Sequence, residues 1–459
     1  MKKNSFITLA ACFVLQWGWS QIQLSPSMQE AVEQAIEKSL SIQNKNLEVE
    51  KIGIQKKSVW GKYIPRIEGG ASYLYFDSNV TLDLPTQNIP VINQPIFDGK
   101  TSLDSYGNVL TGSLMAKTVL FSGFQIENGA RALEQKKIGT AFLSDAEKEM
   151  LIKDVIHSFD QLKLLNQVEK LLNDSQKRLE TETKRVERAI QEGLAIPYDR
   201  DKIKLANLEL ESKRIELLGK RKVLYKKINY LTGYEHNKIS AVDYLLAPYR
   251  IEEDLLVDEK QELKALAAFK KASDYMIKKE KGSYLPVVGA FGGLSYTSLF
   301  DATVITPGLP ITNNQVYGRM NELTLSPNWM VGISMKWEIF SGFERKHKID
   351  EAKIGAAQIQ NQIDDTKEKL NLLLENNLSD YSIQNQKYQL AIEQEKVAAN
   401  NLKMAIRQYQ EGMINISERL EAENDVVKHA THKIQTLIDQ RLSALEALSV
   451  TGSLSKSLL

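Results

Sequence analysis

VLFSGF (Val119–Phe124) and EIFSGF (Glu338–Phe343) share four letters, and the two copies stand 219 residues apart in a chain of 459. Whether that spacing is chance or duplication decides how the rest is read. The same offset relates Gln191-Glu192-Gly193 to Gln410-Glu411-Gly412 and Leu231-Thr232-Gly233 to Val450-Thr451-Gly452. Tyr63-Ile64-Pro65 and Tyr284-Leu285-Pro286 stand 221 apart. Four matches in one order make the chain a duplication, and a repeat of this size sets the architecture before any local reading. The repeats run over residues 21–233 and 234–459.

Each repeat reads the same way. A helical stretch comes first (Met28–Lys62; Glu262–Ser283), and Tyr-X-Pro ends it, because the residue before a proline disfavours helical backbone. Alternating segments follow at about 65–76 and 286–300. Next comes a polar loop of about thirty residues, a length associated with functional or surface segments. Second alternating segments return at about 109–121 and 329–340. In WMVGISMKWEIF (Trp329–Phe340), Trp329, Val331, Ile333, Met335, Trp337 and Ile339 share one face and Met330, Ser334, Lys336 and Glu338 the other. Period-two alternation with a charged opposite face is a strand with one apolar and one wet side. Tryptophans towards both ends, Trp329 and Trp337, fit an aromatic girdle at two membrane–water boundaries. A soluble sandwich strand would look the same taken alone. FSGF falls where the returning strand meets the longest helix. Gly123 and Gly342 permit the turn, with Phe121 and Phe340 beside them to pack it.

The helices are expected over 125–191 and 199–231 in one repeat and over 344–410 and 418–450 in the other. Leu165, Leu172, Leu179 and Val186 fall seven apart, as do Ala391, Ala398 and Ala405. That spacing signals coiled-coil packing, with large residues of one half interlocking with alanines of the other. A helix of this length measures about 100 Å. Both stop at a glycine turn, at Gly193 and Gly412.

The N-terminus stands apart. Residues 1–20 have Lys2 and Lys3, an apolar run from Phe6 to Leu15 and small residues at Gly18 and Ser20. This is the pattern of a secretory signal peptide cut after Ser20. The run is shorter than the ~20 residues of a spanning helix. Cys12, the only cysteine, lies in LAAC, a pattern with the look of a lipoprotein box after a very short apolar segment. A mature chain without it has no disulfide. The net charge of +1 gives no basic surface for nucleic acid. No phosphate loop, nucleophile elbow or HExxH is present, which argues against an enzyme. His429 and His432 stand three apart on a helix without a closed ligand set, so neither metal nor cofactor is expected.

Four strands per chain cannot close a barrel, which needs about eight, and open edges are not tolerated in lipid. If the strands lie in the membrane, several chains must share one barrel.

At this point the chain resembles the TolC family of bacterial outer-membrane efflux ducts. The marks are the doubled strand–loop–strand–long-helix unit, the Leu120-Phe121-Ser122-Gly123 and Ile339-Phe340-Ser341-Gly342 junctions, and the Gly193 and Gly412 turns. The resemblance implies a mainly α protein with β, a homotrimer with one twelve-stranded transmembrane barrel in outer-membrane lipid, continued by a periplasmic α-helical coiled-coil tunnel. It also implies docking onto a periplasmic adaptor (membrane fusion) protein and an inner-membrane pump, and passive export through an iris-like gate without chemistry. By the same resemblance Glu418 and Glu421 form acidic rings at the tunnel end, with Asp199 equivalent in the first repeat. Tyr409 resembles a residue that latches neighbouring helices. The family's aspartates are glutamates here, and its basic latch residue is Ile414. Read without the resemblance, Asn415 and Glu418 are a helix cap and its capping-box partner, and Asp199 complements a helix dipole. The alternatives are a soluble periplasmic coiled-coil adaptor and a secreted structural coiled coil. Two helical hairpins at a fixed offset and glycine-rich alternating segments weigh against them.

Overall fold

The computed structural model describes residues 24–88, 90–91, 93, 95–251, 255–306, 315–452 and 454. The signal segment 1–20, Cys12 included, lies outside them. In chain order the elements are α1 (Pro26–Lys38), α2 (Leu40–Trp60), β1 (Arg66–Asn88), β2 (Pro95–Phe121), α3 (Gln125–Gln191), α4 (Pro197–Thr232), α5 (His236–Ala241), α6 (Gln261–Gly282), β3 (Val287–Thr306), β4 (Val316–Lys336), α7 (Glu344–Gln410) and α8 (Ile416–Thr451). The chain divides into two compact units. One comprises residues 1–50, 137–269 and 358–459, and the other residues 51–136 and 270–357.

The second unit holds one antiparallel sheet in the order β1-β2-β3-β4. The register places Leu114, Leu294 and Trp329 opposite one another across three strands. Directly opposed residues share a face, so Ile67, Leu114, Leu294, Trp329, Val331, Ile333 and Met335 form one apolar surface. All of them are exposed, Val331 by 75% and Ile333 by 74%. A soluble core would have covered such a face.

The sheet corrects two expectations. The polar loops of about thirty residues are mostly strand, since β1 and β2 stay paired to Asn88–Pro95 and β3 and β4 to Thr306–Val316. Polar side chains bond across the ladder there. Asn79 donates to Asp104, Ser102 to Asn79, and Ser298 to Glu322. Such segments are strand without showing apolar alternation. The returning strand of the second repeat also ends earlier, at Lys336 rather than about 340. The last pair is Val287–Lys336, and the next residue on the partner strand is Pro286, which has no amide N–H to donate. β2 continues to Phe121 because β3 supplies pairing where β1 has stopped, Phe121 lying opposite Val288. Trp337 and Phe340 therefore lie beyond the strand, where Trp337 Nε1 donates to the Tyr284 carbonyl at 3.1 Å. Trp329 stands well inside β4 rather than near its start.

The two FSGF junctions share an unusual backbone. Gly123 (φ +64°) is followed by Phe124 (φ +62°), and Gly342 (φ +60°) by Phe343 (φ +68°). A phenylalanine in the left-handed region is disfavoured, so something must hold it. Phe121 and Phe124 meet edge to face at 5.2 Å, as do Phe340 and Phe343 at 5.5 Å, a geometry that aromatic rings prefer. Around this turn the copies differ. In the first, the Tyr63 hydroxyl donates to Glu127 at 2.5 Å. In the second, Arg345 donates to Ser341 Oγ and to the carbonyls of Ser283 and Glu338.

The first unit is helical. Its larger core joins Met28, Ala31 and Val32 of α1 to Ile152, Ile156 and Phe159 of α3, Leu224 and Ile228 of α4, and Leu445 of α8. Over this core the segment following α5 is tied down by charge. Arg441 of α8 grips Asp160 of α3 with two donors, at 2.7 and 2.9 Å, and stacks on Tyr249 at 3.7 Å. Tyr244 donates to the same carboxylate, and the Arg441 Nη1 group to the Ala247 carbonyl. No helix among the described residues is long and apolar enough to cross a membrane, which says nothing of the sheet.

Candidate functional site

The tip of the helical unit is built by two glycine turns. At Gly193 (φ +75°) the Leu194 N–H reaches the Ala189 carbonyl at 2.7 Å and the Gly193 N–H reaches Ile190. At Gly412 (φ +74°) Met413 reaches Gln408 at 2.8 Å and Gly412 reaches Tyr409. This double bond pattern is a Schellman ending, which requires a left-handed residue where glycine carries no steric penalty.

The helices after the turns begin differently. At α8 the Glu418 N–H donates to Asn415 Oδ1 at 3.0 Å, and the Asn415 N–H donates to Glu418 Oε2 at 2.9 Å. This is a complete capping box. At α4 only the return bond exists, with the Ile196 N–H donating to Asp199 Oδ2 at 3.4 Å, since an isoleucine side chain has no acceptor. Glu418 and Glu421 are exposed and Asp199 is half-buried.

Asp199, Tyr409, Gly412, Ile414 and Asn415 line a cleft of about 960 Å³ together with Glu182 and Arg185. Glu418, Glu421 and Gly193 are not part of that lining. Tyr409 is half-buried, and burial followed by the nearby Glu182 and Asp199 carboxylates holds its hydroxyl above the ordinary tyrosine range, against the opposing pull of Arg419 and Arg185. It therefore stays a neutral donor.

Below the turns, Leu172, Leu179 and Val186 of α3 pack on Ile203, Leu210 and Leu217 of α4 and on Ile416, Leu420 and Val427 of α8. The leucine stripe thus meets α4 and α8. Ala391, Ala398 and Ala405 of α7 are buried but are not members of that cluster.

Sequence reading missed a layer inside this stripe. Ser175, Glu182, Arg419 and Glu423 are all buried. Glu423 Oε1 accepts from Ser175 Oγ at 2.8 Å and from Arg178 Nε and Nη2 at 2.8 and 2.7 Å. Arg419 lies 3.8 Å from Glu182 and 3.9 Å from Glu423. The signal was present as polar residues at core steps. Residues 172, 175, 179, 182 and 186 are spaced 3-4-3-4, as are 416, 420, 423 and 427 with a 4-3-4 pattern.

His429 and His432 gain no further ligands. Among the described residues no group of three or more His, Cys, Asp or Glu is placed to hold a metal ion.

The family model described as outer membrane efflux protein matches residues 254–451. A membrane protein from Pseudomonas aeruginosa is similar in structure over 98% of this chain and 99% of its own, with TM-score 0.71 and 12% identity. The Campylobacter jejuni CmeC outer membrane channel matches over 100% and 98%, with TM-score 0.68 and 14% identity. The open state of the Neisseria gonorrhoeae MtrE outer membrane channel matches over 93% and 89%, with TM-score 0.63 and 14% identity. No curated protein matches significantly.

Proposed function

The chain belongs to the outer membrane efflux proteins, non-enzymatic TolC-like channels of the outer membrane, and from that premise we propose that it is the passive exit duct of a tripartite efflux or type I secretion system. Three copies share one twelve-stranded barrel, and their helices form a periplasmic tunnel. The two repeats, residues 21–233 and 234–459, each contribute one strand pair and one helical hairpin. The tunnel mouth docks on a periplasmic adaptor fed by an inner-membrane pump. Asp199, Glu418 and Glu421 surround that mouth, with Tyr409 behind them.

The observation that carries this reading is the sheet. It has four strands, an exposed apolar face, and β1 and β4 each with one neighbour among the described residues. In lipid such edges must be closed by further strands, and further copies of the chain are the direct source. A second feature agrees. Ile383, Leu390, Val397 and Met404 of α7 are exposed and seven apart, a coiled-coil seam without a partner in its own chain among the described residues. Rings of carboxylates at a pore mouth attract cations and resist anions.

The test is cell fractionation followed by the mass of the detergent-extracted native particle. A particle of three chains from the outer membrane is expected. A monomer in the soluble periplasmic fraction would overturn the duct and favour a coiled-coil adaptor. At the mouth, Glu418→Gln with Glu421→Gln should weaken block by multivalent cations in single-channel recordings, and unchanged block would remove these residues from the gate.

A further inference from the structure

The polar layer at Ser175, Arg178, Glu182, Arg419 and Glu423 is odd in its bonding. Three donors crowd onto Glu423 Oε1, while Glu423 Oε2 and Glu182 Oε1 are buried without a hydrogen bond. Arg419, 2% exposed, leaves Nε and Nη1 without a hydrogen bond. It stands almost midway between the two carboxylates, at 3.8 and 3.9 Å, beyond hydrogen-bond reach of either. A buried guanidinium so placed is costly, and one close pair would lower that cost. One carboxylate, Glu182, belongs to α3, and the other lies one turn along α8. The layer interrupts an otherwise apolar seam, with Leu179 and Val186 on α3 and Leu420 and Val427 on α8. Polar residues at single core positions fix register between helices at some expense of stability.

We propose that the buried charged layer fixes the axial register of α8 on α3, and with it the height of Glu418 and Glu421: Glu423 is the positioning residue, accepting from Ser175 and Arg178 of α3, and Arg419 beside it faces Glu182 of α3 at 3.8 Å. Glu423 is the fixed anchor, held by Ser175 and Arg178 of α3. Arg419 sets a second charge of α8 against a carboxylate of α3. Apolar seams alone tolerate slippage by a turn, about 5.4 Å along the axis. A slipped α8 would strand Arg419 and Glu423 against leucines, so the charged layer excludes that register. The inference about register stands on the layer itself. Its consequence for the mouth rests on the gate proposed above.

The test replaces the layer by apolar side chains, Ser175→Ala, Glu182→Leu, Arg419→Met and Glu423→Leu. Buried ion layers exchanged in this way commonly keep or raise stability. Glu182→Gln, near-isosteric and uncharged, is carried as a second variant in case the first does not fold. Spin labels at Glu192→Cys and Met413→Cys, on the two turns, report their separation by pulsed electron resonance. The labelled chain is mixed with excess unlabelled chain so that an assembly holds at most one labelled copy. One distance is expected for the parent and an added population displaced by up to about 5 Å, the slide of one helical turn, for the apolar layer. The same displaced population is expected at a smaller share for Glu182→Gln. An unchanged single distance in both folded variants overturns the proposal, whatever the channel does. If the distance shifts while cation block is unaltered both here and in the Glu418→Gln/Glu421→Gln channel, the register role holds and the gate fails. If block changes only in the Glu418→Gln/Glu421→Gln channel and no distance shifts, the gate holds and the register role fails.

Discussion

Alanine at Gly123 should damage the protein more than alanine at Gly342, although both glycines occupy the same motif at φ +64° and +60°. In either copy the substitution forces an L-residue into the left-handed region, at about 1–2 kcal/mol. At Gly342 the new methyl group meets nothing of its own chain within 4 Å among the described residues. At Gly123 it falls well inside 3.0 Å of the Gly282 carbonyl oxygen and 3.0 Å from Leu285 Cβ. The obstructing atom is backbone, so no rotamer change relieves the overlap, and the end of α6 must move away from the junction. Overpacking of this kind adds about 1–3 kcal/mol. The totals are about 2–5 kcal/mol at Gly123 and 1–2 kcal/mol at Gly342. The assay is thermal unfolding in detergent, followed by circular dichroism at 222 nm. The midpoint should fall about one and a half to four times as far for Gly123→Ala as for Gly342→Ala. Equal falls, or the reverse order, would refute the argument that close backbone approach sets the two junctions apart.

Asp160→Ala leaves Arg441 buried without its carboxylate and removes the acceptor of Tyr244, a loss of about 3–5 kcal/mol. Trypsin should then cleave after Arg250 markedly faster, and an unchanged rate would show that the clamp does not hold this segment. His157, hydrogen-bonded to Gln161 at 2.8 Å, is held below the ordinary imidazole value by burial, with Asp160, Asp154 and Asp439 opposing and Lys227 assisting. The folded chain therefore takes up this proton less readily than the unfolded one. The associated stability is present above the ordinary value and is lost as pH falls through the lower folded value. Unfolding midpoints of His157→Gln should depend less on pH between pH 7 and 5 than those of the parent, and parallel profiles would refute this. Asn415→Ala removes the acceptor that caps α8, worth about 1 kcal/mol. Faster amide exchange confined to the first turn of α8 is expected, and unchanged exchange there would mean that Glu418 alone secures the turn.

The features legible in the chain alone are periodic or local. The glycine at each helix turn, the missing prolines between Gln125 and Gln191 and the alternation around Val331 each reflect a constraint acting within a few residues, and the 219-residue offset is a comparison of the chain with itself, so each can be read without knowing the fold. The order of strands and long helices follows from them, and the likeness to outer membrane efflux proteins rests on that order. Tertiary structure decided whatever depends on a partner strand or helix. The polar ends of the strands are held by cross-strand side-chain bonds that leave no alternation in either strand alone. β4 stops at Lys336 because the next residue, Trp337, would face Pro286, 51 positions earlier in the chain. Gly123 and Gly342 look identical in sequence and differ only in what lies against them. Arg419 and Glu423 read as ordinary charges on a helix that opens with a capping box. Packing α8 on α3 buries them and sets them against Glu182, Arg178 and Ser175, since the cost of burying a charge is fixed by which groups surround it and not by its neighbours in the chain.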